Sequence, residues 1–296
     1  MSPPSPRHGA TYALLAALLF GVGTPLIKLR FATEDPLLLS ALLNLGAALG
    51  VAVWTRIPWR LGALTLPCNR LPFAGSLLCG GVLAPVLLVW GIAHTPGSSA
   101  ALLLNLEAGF TALLAWGFFR ERLSARLVLG LALITAGGVL VSSSAADGGP
   151  GHAAAALAIA GSCLCWAIDN NCTARLQRVT PAQFALWKGL FAAAGLFALC
   201  AGRRTPLPGW PTLGEAVLLG TCCHGLALLV FVMALQRLGA GRTAAYFATA
   251  PFVGAAASIV LLGDPVTLPL LLAAALMAGG VASLLTEPVL NLTRPD

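Results

Sequence analysis

An all-α integral membrane protein, with ten transmembrane helices arranged as two inverted five-helix repeats, is the fold the sequence predicts, and three observations carry it. First, 58% of the 296 residues are hydrophobic and only 9% are charged, against about 25% charged in an ordinary soluble domain. Seventeen basic and ten acidic residues are too few to wet a chain of this size, so the missing solvent is lipid. A mean hydropathy of +0.89 agrees. Second, cutting the chain at its charged or Pro/Gly-rich gaps leaves ten apolar runs, each near the roughly 20 residues a helix needs to cross about 30 Å of hydrocarbon. Third, the chain superposes on itself at a shift of 143 to 144 residues, the mark of an internal duplication.

The runs fall near 11–30, 37–54, 71–93, 97–118, 126–143, 153–174, 182–201, 212–236, 242–262 and 266–285. Continuous Leu/Ala blocks such as Leu270 to Met277 do not alternate apolar with polar residues, so the spans are helices and not barrel strands. The polar stretch Met1 to His8 precedes a run with no small-residue cleavage site and no soluble domain after it, so that run is expected to be a first span and not a removed signal.

The self-superposition lays Gly97-Ser98-Ser99-Ala100-Ala101 on Gly241-Arg242-Thr243-Ala244-Ala245, Glu121 on Asp264, and Ala136-Gly137 on Gly279-Gly280. Each half holds five spans. An odd number sends the second copy into the membrane from the opposite side, which makes the repeats inverted. The expected organisation is a tail at 1–10, a first repeat at 11–143, a connecting loop at 144–152, a second repeat at 153–286 and a tail at 287–296. With the N-terminus inside, twelve Lys and Arg residues lie in inner segments and four (Lys28, Arg30, Arg203, Arg204) in outer ones, with Lys188 inside a span. Cytoplasmic loops carry such an excess, so both termini are expected in the cytoplasm and the protein in the inner (plasma) membrane. The same scattering of basic residues through short gaps, with no basic patch, excludes a nucleic-acid partner. Eight cysteines form no CxxC pair. Cys222-Cys223-His224 projects its side chains in different directions on a helix with no histidine at i+4, so neither a metal nor another cofactor is expected.

Inverted repeats are typical of secondary transporters, which bind substrate near the midplane between the halves. Four stretches carry a resemblance to a known family: Phe20-Gly21-Val22-Gly23-Thr24-Pro25-Leu26-Ile27-Lys28 in the first span, Phe118-Phe119-Arg120-Glu121-Arg122-Leu123 and Leu262-Gly263-Asp264-Pro265-Val266-Thr267 in the turns after the fourth and ninth, and Trp166-Ala167-Ile168-Asp169-Asn170-Asn171 in the sixth. In their order and spacing, over about residues 11 to 286, the chain resembles the EamA-type ten-span members of the drug/metabolite transporter superfamily. The resemblance implies a secondary carrier of small metabolites, commonly an exporter, that hydrolyses no ATP. The chain departs from the family where a proline often stands midway along the fourth span. Pro251 has that place in the ninth, but Glu107 holds it in the fourth.

An ionisable side chain at the centre of a spanning helix costs about 2.5–3.5 kcal/mol on insertion scales, which makes each one a functional candidate. Glu107, between Leu102-Leu103-Leu104 and Phe110, has a desolvated carboxyl suited to carrying a proton; the alternative is a carboxyl hydrogen-bonded within the bundle. Asp169 is followed by Asn170 and Asn171, and three consecutive polar residues cannot face one way on a helix, so at least one meets a water-filled cavity or another helix. Lys188 is either paired or snorkelling to the interface. Asp169 and Lys188 lie at matched distances either side of the turn near Arg178 and Val179, which predicts a pair at one depth. Lys28, near the outer end of its span, is a candidate through its fit to the family motif. Gly21, Gly23, Thr24 and Pro25 are expected to interrupt the first span, as a site-lining break or a packing kink, and Pro85 and Pro251 to act similarly in theirs. Tyr246, with Phe247 and Thr249, offers an aromatic wall. Gly46 and Gly50, at i and i+4, read as close helix packing.

The expected substrate or coupling residues are therefore Glu107, Asp169, Asn170, Lys188, Lys28, Thr24 and Tyr246, with no catalytic residue and no metal. The expected partners are the lipid bilayer, a small-molecule substrate, protons, and a second copy of the chain as a homodimer. Two readings compete with a carrier. A membrane-embedded enzyme should gather nucleophile, base and metal ligands at one interface, whereas these polar residues are dispersed. A membrane assembly protein should carry large soluble loops, and no loop exceeds about twenty residues. No GxxxxGK[ST] motif is present, so the chain is not expected to be an ATP-driven pump.

Overall fold

The computed structural model describes residues 6–55, 60–119, 125–144, 150–238, 243 and 246–285, among which no strand occurs. The principal helices are α1 (Pro6–Phe31), α2 (Pro36–Thr55), α3 (Pro67–Ala93), α4 (Gly97–Leu103), α5 (Leu106–Phe119), α6 (Ala125–Ser144), α7 (Pro150–Thr173), α8 (Pro181–Gly202), α9 (210–238), α10 (Ala250–Leu262) and α11 (Leu268–Leu285). Six of them, α1, α2, α3, α7, α8 and α9, are long and apolar enough to cross a membrane, and shorter apolar stretches lie in α6, α10 and α11. Prolines open several helices where the missing N–H costs nothing. Asp35 caps α2 by accepting from the backbone N–H of Leu37 (3.0 Å) and Leu38 (3.1 Å), and Thr180 caps α8 by accepting from Gln183 N–H (3.2 Å).

The helices of one half pack mainly on helices of the other. α1 lies against α9 and α10, α2 against α8 and α9, α3 and α5 against α7, α4 against α10, and α6 against α11. Lipid is as apolar as leucine, so association depends on close van der Waals approach, which small residues permit. Gly46 of α2 is so near α9 that a Cβ there would lie 2.1 Å from the Val217 carbonyl oxygen, and one on Gly220 would lie 2.4 Å from that of Leu43. The packing expected of Gly46 and Gly50 is thus what the structure uses. Large apolar side chains such as Leu71, Leu157 and Val260 point outward, at 72 to 82% exposure, as a lipid-facing surface requires.

Two expectations about helix continuity are corrected. The first span is not interrupted: α1 runs unbroken through Pro25. Its small residues serve packing, for a Cβ on Gly21 would sit 2.5 Å from the Ala250 carbonyl oxygen of α10 and one on Gly23 would sit 3.3 Å from Cys223 Cβ of α9. Conversely, the expected span 97–118 is two helices, α4 and α5, parted by a turn at Leu104-Asn105. No proline makes this break. Asn105 Nδ2 donates to the Leu102 carbonyl (2.9 Å), a side-chain bond that competes with the helical ladder. Thr249 does the same to the Tyr246 carbonyl (2.7 Å) in the turn ahead of α10, where Pro251 starts the helix. A π-helical segment spans Leu77–Leu83 in α3 and another Gly220–Leu226 in α9. The halves therefore share their irregularities at a constant offset of 143 to 144 residues.

Helix ends expected on one side of the membrane meet one another. Arg30 pairs with Glu215 through contacts of 2.7 to 3.1 Å, Arg203 lies 3.9 Å from Asp35, and Asp264 accepts from Ser98 N–H at 2.7 Å. At the other end Asn69 bonds the backbone of Gln177 and Gln183 bonds the Arg60 carbonyl.

Candidate functional site

A cavity of about 580 Å³ lies between the halves, lined by residues of α1, α2, α3, α7, α8 and α9 and of the α7–α8 turn. Most of its wall is apolar or aromatic, with Leu88, Trp166, Phe184 and Phe231 among the lining. Its polar residues are Asn44, Asp169, Asn170, Thr173, Lys188 and His224. Few convergent polar groups in an apolar hollow are the usual make-up of a small-molecule site.

The charged part of the wall is built from three helices. Asp169, buried on α7, accepts from the Lys188 ammonium of α8 and from the Ser76 hydroxyl of α3, with Thr173 one turn on donating at 3.2 Å. Gly80 leaves the room this needs, since a Cβ there would lie 2.0 Å from Asp169 Oδ2. Lys188 also stands 5.0 Å from the centre of the Phe184 ring, a cation–π contact. The depth match of Asp169 and Lys188 is thus joined by a matching rotation of the two helices.

The three polar residues of α7 divide as their helical positions require. Asp169 faces α3 and α8. Asn170 lines the cavity and donates to Glu107 Oε1 (2.9 Å) and Thr111 Oγ1 (3.2 Å) of α5. Asn171 donates to the Ala167 carbonyl (2.8 Å). Glu107 does not itself line the cavity; it stands behind Asn170.

Of the seven expected residues, the cavity gathers Asp169, Asn170 and Lys188, and not Glu107, Lys28, Thr24 or Tyr246. Lys28 donates to the carbonyls of Ile92 (3.1 Å) and Thr95 (2.5 Å) at the end of α3, the place where a helix leaves its last carbonyls unpaired and favours a cation. Thr24 is buried within α1. Tyr246 is 38% exposed, and its neighbour Phe247 packs on Phe20 and Phe231. Sequence reasoning missed Asn44 and Phe184 as wall residues and Ser76 as the buried partner of Asp169, and weighed His224 only as a metal ligand. Asn44 carried a usable signal, being a lone amide in the Leu/Ala run of α2. It donates to the Gly81 carbonyl (3.1 Å) of α3. Among the described residues no three or more His, Cys, Asp or Glu side chains stand together as metal ligands.

Comparison with known proteins places this geometry. The model of the EamA-like transporter family matches residues 7–143 and again 153–286. A protein of Methanothermobacter thermautotrophicus described as an uncharacterized transporter is 25% identical over 276 residues, covering 85% of this chain and 78% of its own. A protein of known crystal structure has the same fold, with a TM-score of 0.65 and 23% identity over 92% of this chain and 95% of its own. An all-helical chain with two copies of the family's unit, apolar spanning helices and a cavity between its halves is a multi-pass membrane transporter, and it belongs to the EamA-like transporter family.

Proposed function

We propose that the protein is a secondary carrier that exports small metabolites across the cytoplasmic membrane by alternating access between two inverted five-span repeats, 11–143 and 153–286, with both termini in the cytoplasm. The observation that carries this reading is the cavity between the halves with a carboxylate–ammonium pair in its wall. Buried charge is costly in a membrane, and a pair open to a cavity can exchange partners with an ionic substrate. Asp169, Asn170 and Lys188 bind substrate in this reading. Glu107 couples transport to protons, because Asn170 bridges it to the cavity and a change in its protonation reaches the substrate site through that bond.

The matched π-helical segments and turns at an offset of 143 to 144 residues support the inverted repeat. The conformation fits one open to the cytoplasm. The cavity wall reaches Leu176 and Val179 in the α7–α8 turn, a segment the basic bias assigns to the cytoplasm, while Lys28 on α3 and Arg30 on Glu215 tie the other end. Family membership favours a carrier over an enzyme.

Two measurements test the reading. A reporter fused after Arg294 should report a cytoplasmic location and one inserted near Gly149 an external one; both on the same side would refute the ten-span inverted arrangement. Overexpression should raise the resistance of a host to at least one compound of a toxic-metabolite panel, and Lys188→Gln should cut that gain at least tenfold. No change across the panel, or a gain indifferent to Lys188, would refute export through this cavity.

A further inference from the structure

His224 is a polar residue of the cavity that the carrier reading leaves without a task. It lies in the π-helical segment Gly220–Leu226 of α9, and its ring meets Phe20 edge-on at 5.8 Å. Its Nδ1 is buried and, among the described residues, has no hydrogen-bond partner. Buried polar atoms are nearly always bonded, so one left unpaired on a cavity wall is a place where a ligand can supply the missing partner. A π-helical segment re-aims side chains and is common at functional sites. The related segment of α3 sets Gly80 beside the Asp169 carboxylate, so both segments present a residue to the same cavity. The two polar regions are separate. α2 turns Asn44 and Ala48 toward Gly189 of α8 and Gly46 and Gly50 toward α9, so Lys188 of the ion pair and the imidazole reach the cavity from helices packed on different faces of α2. Apolar and aromatic side chains, Leu88, Trp166 and Phe231 among them, complete the wall.

We propose that His224 is a second polar anchor of the cavity, and that the carrier selects amphipathic molecules with an ionic group at one end, taken by Asp169 and Lys188, an apolar middle, and a hydrogen-bonding group at the other end, taken by the imidazole. This rests on the reading of the cavity as the substrate site. The alternative is that His224 only packs its ring on Phe20, and His224→Phe preserves an aromatic contact there while removing the hydrogen bond.

The test uses the purified full-length protein in detergent and two matched pairs of probes, phenethylamine with tyramine and phenylpropionate with its para-hydroxy derivative, measured by calorimetry. In at least one pair the hydroxylated member should bind the wild type about fivefold more tightly. His224→Phe should bring that ratio close to one while changing the affinity of the hydroxyl-free member by less than about twofold, and His224→Gln, which keeps a hydrogen-bonding group, should restore most of it. No hydroxyl preference in the wild type, or an undiminished preference in His224→Phe, overturns the proposal. Lys188→Gln separates the two levels. It should weaken the carboxylate probes and strengthen the amines, and if it does so while the hydroxyl ratio ignores His224, the cavity is the substrate site and the second anchor is wrong. If none of the four compounds binds the wild type at millimolar concentration, or Lys188→Gln changes nothing, the reading of the cavity fails and the anchor with it.

Discussion

Replacing Asp169 by asparagine is expected to destabilise the protein by about 3–5 kcal/mol and to abolish transport, because it strands the Lys188 ammonium in a largely buried position with no counter-ion. Lys188→Gln should cost less. The carboxylate it leaves behind still accepts from the Ser76 and Thr173 hydroxyls, whereas the ammonium left by Asp169→Asn keeps a neutral amide oxygen and its contact with the Phe184 ring but no opposite charge. The double variant removes both charges and should be less damaged than the sum of the single losses, with a coupling of about 1–3 kcal/mol. Gly80→Ala is a steric counterpart: its Cβ would lie 2.0 Å from Asp169 Oδ2, so it should displace the carboxylate and reproduce part of the Asp169→Asn defect with both charges intact. Thermal unfolding of the detergent-solubilised variants measures the cycle. Strictly additive losses would mean that the pair is not energetically coupled.

Glu107→Gln is expected to eliminate proton-driven transport, at least tenfold, while leaving the fold intact. The reason is chemical: glutamine keeps the oxygen that accepts from Asn170 at 2.9 Å but cannot take up a proton at membrane pH, so structure and titration are separated. Stability should change by no more than about 1 kcal/mol, the worth of one altered hydrogen bond. In proteoliposomes loaded with a compound identified by the resistance screen, a pH gradient should no longer drive accumulation by the variant. Exchange of labelled for unlabelled compound without a gradient should continue at close to the wild-type rate. Accumulation that survives the substitution would make Glu107 a structural clasp between α5 and α7.

Scarcity of charge and the run of apolar stretches establish that the chain lives in lipid, and the 143 to 144 residue shift that it is duplicated. The order of residues also set the depth of each polar residue along its run, and depth was enough to bring Asp169 level with Lys188. Rotation is different. Helices such as α2 and α8 are apolar almost all round, and a helix surrounded by lipid has no water-facing side to fix its orientation, so the facing residues are chosen by close packing against other helices. Only the tertiary structure could therefore turn Asp169 to Ser76 and Lys188, set Asn170 between Glu107 and the cavity, and bring Asn44 and His224 to the cavity wall. Backbone continuity was decided the same way. Pro25 lies in an unbroken helix whose glycines fit against α9 and α10, while the fourth span breaks at Leu104-Asn105, where no proline announces it and the Asn105 side-chain amide joins its own backbone N–H on the Leu102 carbonyl. A propensity read along the chain reports what one residue favours alone; in a bundle without water the neighbouring helices decide which backbone groups and side chains find partners.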